Sequence, residues 1–372
     1  DRGVDGGGED HRTVRGVQSV KLFNRETEVE GRWFNRYSDV VNAAVRLTDY
    51  STSGSVTTWK GGFNFSPVQS MRLRATASRD IRAPSVNELF SGTSQFVTNV
   101  IDPRPGTPAR NPTVPQLISG NPNLTPEESD AYTIGVVFQP GWEGNFRASL
   151  DYYSFEITDA IASLTPQQFI DGCFLRNQQS LCSAIQFDGA GAINRIVATI
   201  LNAASTESAG FDAELGYSLP VGSDKVDFRL LGTYIDKLTT TINGVPSDIV
   251  GQLGSESAGG VPQWRGVLST RYVRSENFAA GVLVRYIDRG VYRTDFQNGI
   301  SIDDNAIPSR TYVDLDFTKQ FGASLEVYAK VNNVFNIDPP LAPSAIVEPN
   351  YNGGAFHDRI GRYFKLGGRF QF

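Results

Sequence analysis

The eleven residues Arg362–Phe372, RYFKLGGRFQF, alternate strictly. Phe364, Leu366, Gly368, Phe370 and Phe372 fall on one face, and Tyr363, Lys365, Gly367, Arg369 and Gln371 on the other. A period of two belongs to a β-strand. Ionised residues at every second position are costly in a dry core but natural on the wall of a water-filled lumen, while the opposite apolar face suits lipid. A chain built from such strands is restricted to very few architectures.

The pattern recurs. Val313, Leu315 and Phe317 alternate with Asp314, Asp316 and Thr318. Leu325, Val327, Ala329 and Val331 alternate with Glu326, Tyr328, Lys330 and Asn332. Thirteen strands are predicted: 14–29, 37–50, 56–65, 71–81, 131–139, 146–158, 210–219, 225–236, 264–274, 278–287, 311–319, 324–335 and 362–372. Most are longer than the five or six residues of a soluble strand and match the length of a tilted membrane-crossing one. No apolar run approaches the ~20 residues of a membrane helix. The net charge of −6 lacks the basic excess of a nucleic-acid binder.

Connection lengths set the topology. From Met71 onward, long links (82–130, 159–209, 237–263, 288–310, 336–361) alternate with short ones (140–145, 220–224, 275–277, 320–323). Long loops at one end and short turns at the other describe a transmembrane antiparallel β-barrel, with the long loops extracellular and the turns periplasmic. An odd number of strands leaves the first and last running in the same direction, so this set does not close. Residues 1–13 read as loop at a truncated start, and 14–372 as the barrel portion. Arg362–Phe372 is expected to be an unpaired edge.

Several segments, in order, resemble landmarks of the TonB-dependent outer-membrane receptors. They are RYSDVVNAAVRLTDYS (36–51), SMRLRATASRDIRAPSVNELF (70–90), GNPNLTPEESDAYTIGVVFQP (120–140), VNNVFNIDPP (331–340) and the closing GRYFKLGGRFQF. The resemblance implies a 22-stranded barrel in the outer membrane of a Gram-negative bacterium, of which about thirteen strands are here. It also implies an amino-terminal plug domain and a TonB box that couples to the inner-membrane energy complex; neither is read in this sequence. Its cargo would be a small-molecule nutrient: a ferric siderophore, cobalamin, haem or an oligosaccharide. Phe370 and terminal Phe372 resemble the signal read by the barrel assembly machinery. A passive porin or a surface adhesion barrel is the alternative.

Candidate site residues are few. Cys173 and Cys182, nine apart in the longest loop, are expected to form a disulfide, against two free thiols or a metal pair. No histidine lies near to complete a zinc set. Arg72 and Arg74, with Asp314, Asp316, Glu326 and Lys330, are expected to face the lumen. For the arginines, contact with an acidic plug surface or anionic substrate competes with plain lining of a wet wall, and the latter is preferred. Asp303 and Asp304 read as a solvated loop pair, Gly189 and Gly191 as a turn, and His11 and His357 as isolated. The proline-rich stretch 84–126 shapes a ligand mouth or is disordered. No enzyme motif is found, and no cofactor is called for.

Overall fold

The computed structural model describes residues 29–31, 40–50, 52, 54–106, 112–141, 145–254, 260–274, 277–294, 296–300, 302–322, 324–340 and 356–370. In chain order the elements begin with strands β1 (Val29–Gly31), β2 (Val40–Tyr50), β3 (Gly54–Val68) and β4 (Met71–Arg82), helix α1 (Val86–Phe90), then β5 (Ser94–Asn99), β6 (Thr113–Ser119), β7 (Glu127–Phe138) and β8 (Arg147–Ala162). Helices α2 (Pro166–Phe174) and α3 (Gln179–Cys182) precede β9 (Ile185–Phe187), β10 (Ile193–Thr199), β11 (Leu201–Val221), β12 (Asp224–Ile242) and β13 (Val245–Asp248). The chain continues through β14 (Trp264–Arg274), β15 (Phe278–Ile287), β16 (Gly290–Val291), β17 (Ala306–Ile307), β18 (Arg310–Phe321), β19 (Leu325–Asn332) and β20 (Tyr363–Phe370).

One antiparallel sheet of fourteen strands runs through thirteen in the order β1-β2-β3-β4-β7-β8-β11-β12-β14-β15-β18-β19-β20, with β13 paired to β12 off this path. The path has the expected thirteen strands, although most of the expected first strand, 14–29, lies outside the described residues, and β1 begins only at Val29. Among the described residues β20 pairs only with β19, and the sheet is not closed. The barrel is therefore partial. None of the described helices is long and apolar enough to cross a membrane.

Register aligns the faces of neighbouring strands, because residues directly opposite share a side of the sheet. On one face, Tyr152 of β8 meets Phe211 of β11, Phe211 meets Tyr234 of β12, and Tyr234 meets Trp264 of β14. Their ring centroids are 5.1, 6.4 and 4.6 Å apart. A second run, Tyr272–Phe278–Phe317, lies towards the short turns with centroids 6.1 and 5.0 Å apart. Trp264 and Tyr272 belong to the same strand and face, eight residues apart, so the two belts are about 26 Å apart along the strand. Between them that face carries Leu268, Leu230 and Leu215, all exposed. Beyond the upper belt it turns ionic, with Glu156 opposite Glu207 and Lys237 paired to Glu207. An apolar band of about 25 Å edged by aromatic girdles is the outer surface of a membrane barrel.

Two predicted features are corrected. Strands β11 and β12 are 21 and 19 residues long, far beyond 210–219 and 225–236, because their pairing continues past the apolar band. The long loops they adjoin are also folded. Loops 83–126 and 163–200 join into a four-stranded sheet, β5-β6-β10-β9, in which β6 and β10 run parallel. This cap has a dry core in which Val114, Leu164, Phe169, Ile170, Ile196 and Ala198 are almost fully buried. The described part of the proline-rich stretch is thus ordered structure.

Candidate functional site: the polar face and its cap

The polar face is a ladder of ion pairs. Arg74 of β4 donates from Nε and Nη2 to the two carboxylate oxygens of Asp151 in β8, at 2.7 and 2.6 Å. Strand β7 lies between them, and its residue at that register is Gly135. A Cβ at Gly135 would overlap the Asp151 carboxylate; the missing side chain opens the path. The same arrangement recurs where Arg271 of β14 reaches Asp316 of β18 at 2.7 Å across Gly281 of β15. Arg229 pairs with Glu214 at 2.9 Å and Arg369 with Glu326 at 3.6 Å. Such half-exposed pairs are worth roughly 0–1 kcal/mol each; their effect is to hold charged groups of both signs in fixed positions.

The remaining candidates from the sequence are placed as follows. Arg72 is exposed on β4, and Lys330 sits opposite Asp316 on one side and Lys365 on the other. Asp314 is buried, accepting from the Asn333 backbone at 2.9 Å and from Arg285 at 3.2 Å. Phe370 is exposed at the end of β20; Phe372 lies outside the described residues. Asp304 accepts from the Ala306 backbone at 2.9 Å. Among the described residues no three His, Cys, Asp or Glu side chains are placed to hold a metal.

At the long-loop end the ladder meets the cap. Arg82 joins Glu127 of β7 at 2.5 Å and Glu88 of α1 at 3.0 Å. Glu88 also closes a capping box with Ser85. The bond to Arg82, ahead of the Ser85 contacts, holds the Glu88 carboxyl down at about 2. Arg104 bonds Asp102 at 2.7 Å and lies over the rings of Phe174 and Phe187, 5.0 and 4.6 Å from their centroids. Cys173 and Cys182 are joined as a disulfide, Cα atoms 4.9 Å apart, which ties α2 to α3 against the cap core. His357 is buried with Nδ1 3.4 Å from the Tyr312 hydroxyl. Burial, then the nearby Arg310 charge, lowers its imidazole to about 4.

A cavity of about 510 Å³ opens where the cap meets the tops of β11 and β12. Its polar lining is Asn121, Asn123, Gln178, Ser180, Asn202 and Asn243. Asn243 and Gly244 form the two-residue turn between β12 and β13, both with positive φ (52° and 75°), the backbone of an Asn-Gly hairpin. That dipeptide was a readable signal; the convergence of four distant segments on one cavity was not.

Residues 28–334 match the family described as TonB dependent receptor-like, beta-barrel. No curated protein sequence matches the chain. Among solved structures, the siderophore receptor PirA from Acinetobacter baumannii is similar at 17% identity and TM-score 0.61, over 90% of this chain and 44% of that one. A mutant of the ferric enterobactin receptor PfeA from Pseudomonas aeruginosa, in complex with enterobactin, is similar at 16% identity and TM-score 0.58, over 89% of this chain and 42% of that one. The copper transporter OprC is similar at 15% identity and TM-score 0.52, over 93% and 47%. The chain spans less than half the length of each, and the likeness is one of fold.

Proposed function

The chain belongs to the TonB-dependent receptor β-barrel family, whose members transport rather than catalyse, and we propose that it forms the carboxy-terminal wall of an outer-membrane receptor for energy-coupled uptake of a scarce nutrient. In this reading the apolar band meets outer-membrane lipid, and the ion-pair ladder, including Arg72, Arg74, Asp314, Asp316, Glu326 and Lys330, lines the lumen. The long-loop cap faces the outside, and the short turns face the periplasm of a Gram-negative cell. A plug domain within the barrel contacts the TonB complex, and Phe370 and Phe372 present the barrel to its assembly machinery.

The single observation that carries this reading is the pairing of two unlike faces on one sheet. The band between Trp264 and Tyr272 fits a bilayer, while the same strands put Arg271 and Asp316 on the opposite side. Charges of both signs paired in place suit a wall that a polar cargo passes without being trapped. The test is nutrient uptake by cells expressing the receptor, with and without TonB. Uptake abolished by loss of TonB supports the reading. Uptake that persists without TonB, with a steady ion current through the purified protein, makes it a porin.

A further inference from the structure

We propose that the cavity between the cap and the tops of β11 and β12 binds a neutral, polyhydroxylated ligand of the saccharide class. The inference rests on the receptor reading and names the cargo chemistry of its outer end.

Among the described residues the lining contains no ionisable side chain. The contrast with its surroundings is sharp, because the cap and polar face around it are dense in Arg–Asp and Arg–Glu pairs. An anionic iron chelate docks on cations, and the described lining offers none. Carboxamides and a hydroxyl dominate instead. A carboxamide presents a donor and an acceptor in one plane, the complement of neighbouring sugar hydroxyls, each of which both donates and accepts. Leu181 and Leu201 supply an aliphatic wall against the C–H face of a ring. The volume lies within the usual range of ligand sites.

Four of the five amides are also fixed before any ligand arrives. Asn121 donates to the Ile200 carbonyl at 2.9 Å and accepts from the Asn123 backbone at 2.9 Å. Asn202 accepts from the Thr125 backbone N–H at 3.0 Å and donates to the Thr125 and Asp159 carbonyls at 2.9 and 2.6 Å. Asn243 Nδ2 donates to Gln178 Oε1 at 2.7 Å. Gln178 lies inside the ring closed by Cys173 and Cys182, and Asn243 in the tight β12–β13 turn, so two rigid devices set their spacing. Asn121, Gln178 and Asn243 each keep a free donor and acceptor site, Asn202 keeps only an acceptor site, and the side chains of Asn123 and Ser180 have no protein partner among the described residues. Preorganised groups lose little entropy on binding.

The full chain in detergent micelles is titrated calorimetrically with maltohexaose, xylohexaose and chitohexaose, and separately with ferric enterobactin. Saturable binding of at least one hexaose, weakened about tenfold or more by Asn123→Ala combined with Ser180→Ala, is expected. These two side chains hold no other part of the fold, and protease resistance of the cap in the variant verifies that it is intact. Absence of binding by all three hexaoses overturns the proposal, as does hexaose binding unchanged in the double variant. Ferric enterobactin binding that the same substitutions weaken also overturns it, while leaving the receptor reading in place. Hexaose binding of the expected kind alongside TonB-independent uptake supports the cavity and removes the receptor reading.

Discussion

Arg74 holds Asp151 through two hydrogen bonds of 2.7 and 2.6 Å although a complete strand lies between them. The glycine at the crossing, Gly135, is what allows it. A methyl group there overlaps the Asp151 carboxylate and meets the Leu150 carbonyl at 3.2 Å, so Gly135→Ala is expected to remove the ion pair at the cost of only a slight shift of the sheet. Its cost is then no more than roughly 1 kcal/mol, the worth of an exposed pair. The stronger expectation is non-additivity: Arg74→Ala destabilises the parent but has no effect in the Gly135→Ala background. Equilibrium unfolding in detergent of the two single variants and the double variant measures this. Full additivity would show that the glycine and the ion pair are independent.

The apolar band predicts a depth-dependent cost. Leu268 lies midway between Trp264 and Tyr272 on the same face of β14. Leu268→Arg is expected to destabilise by about 2–4 kcal/mol in a bilayer, and Trp264→Arg, at the belt, by only about 0–1 kcal/mol. Unfolding from lipid vesicles compares the two. Equal costs at both positions would mean that the face between the belts is not in lipid.

The cap predicts a redox dependence. Closing the short ring between Cys173 and Cys182 stabilises by about 2–3 kcal/mol in the chain-entropy model, and the ring packs on the cap core. Alkylation of the unreduced protein is therefore expected to label neither cysteine. Reduction is expected to hasten proteolysis of the segment 163–200 while leaving the β11–β12 hairpin protected. Labelling of both thiols without reductant would refute the bridge.

How much of this was legible in the sequence depends on the range of each interaction. The alternation in Arg362–Phe372 and in Val313–Thr318 is local, so it marks strands and faces before any partner is known. The long and short links likewise follow from chain order alone. Gly135 and Gly281 read simply as strand glycines, because their purpose depends on residues of two other strands. The extension of β11 back to Leu201 was hidden for a related reason. Its upper part, LNAASTESA, lacks the apolar alternation because both of its sides lie above the lipid band. The parallel pairing of β6 with β10 joins segments some eighty residues apart, and nothing in either segment names the other. The cavity inherits that opacity, since its amides come from four such segments.

The last loop predicts a response to acid. Burial, and then the Arg310 charge, keeps the His357 imidazole neutral down to about pH 4, whereas an unfolded histidine takes up its proton near 6.5. Between those values the unfolded loop binds more protons than the folded one, so docking of the loop weakens as pH falls. The contribution is complete above about 6.5 and is lost by about 4; for a shift of this size it is on the order of 3 kcal/mol. The groups around the imidazole make protonation unfavourable: Arg310 adds positive charge, Tyr312 offers only a hydroxyl, and Asp358 is already engaged by Arg285 at 3.8 Å. Hydrogen exchange at the backbone amides of 356–362 is expected to accelerate between pH 6.5 and 4, after correction for intrinsic rates. His357→Gln, which has no charge to gain, is expected to flatten that profile. A profile equally steep in the variant would assign the acid response to another group.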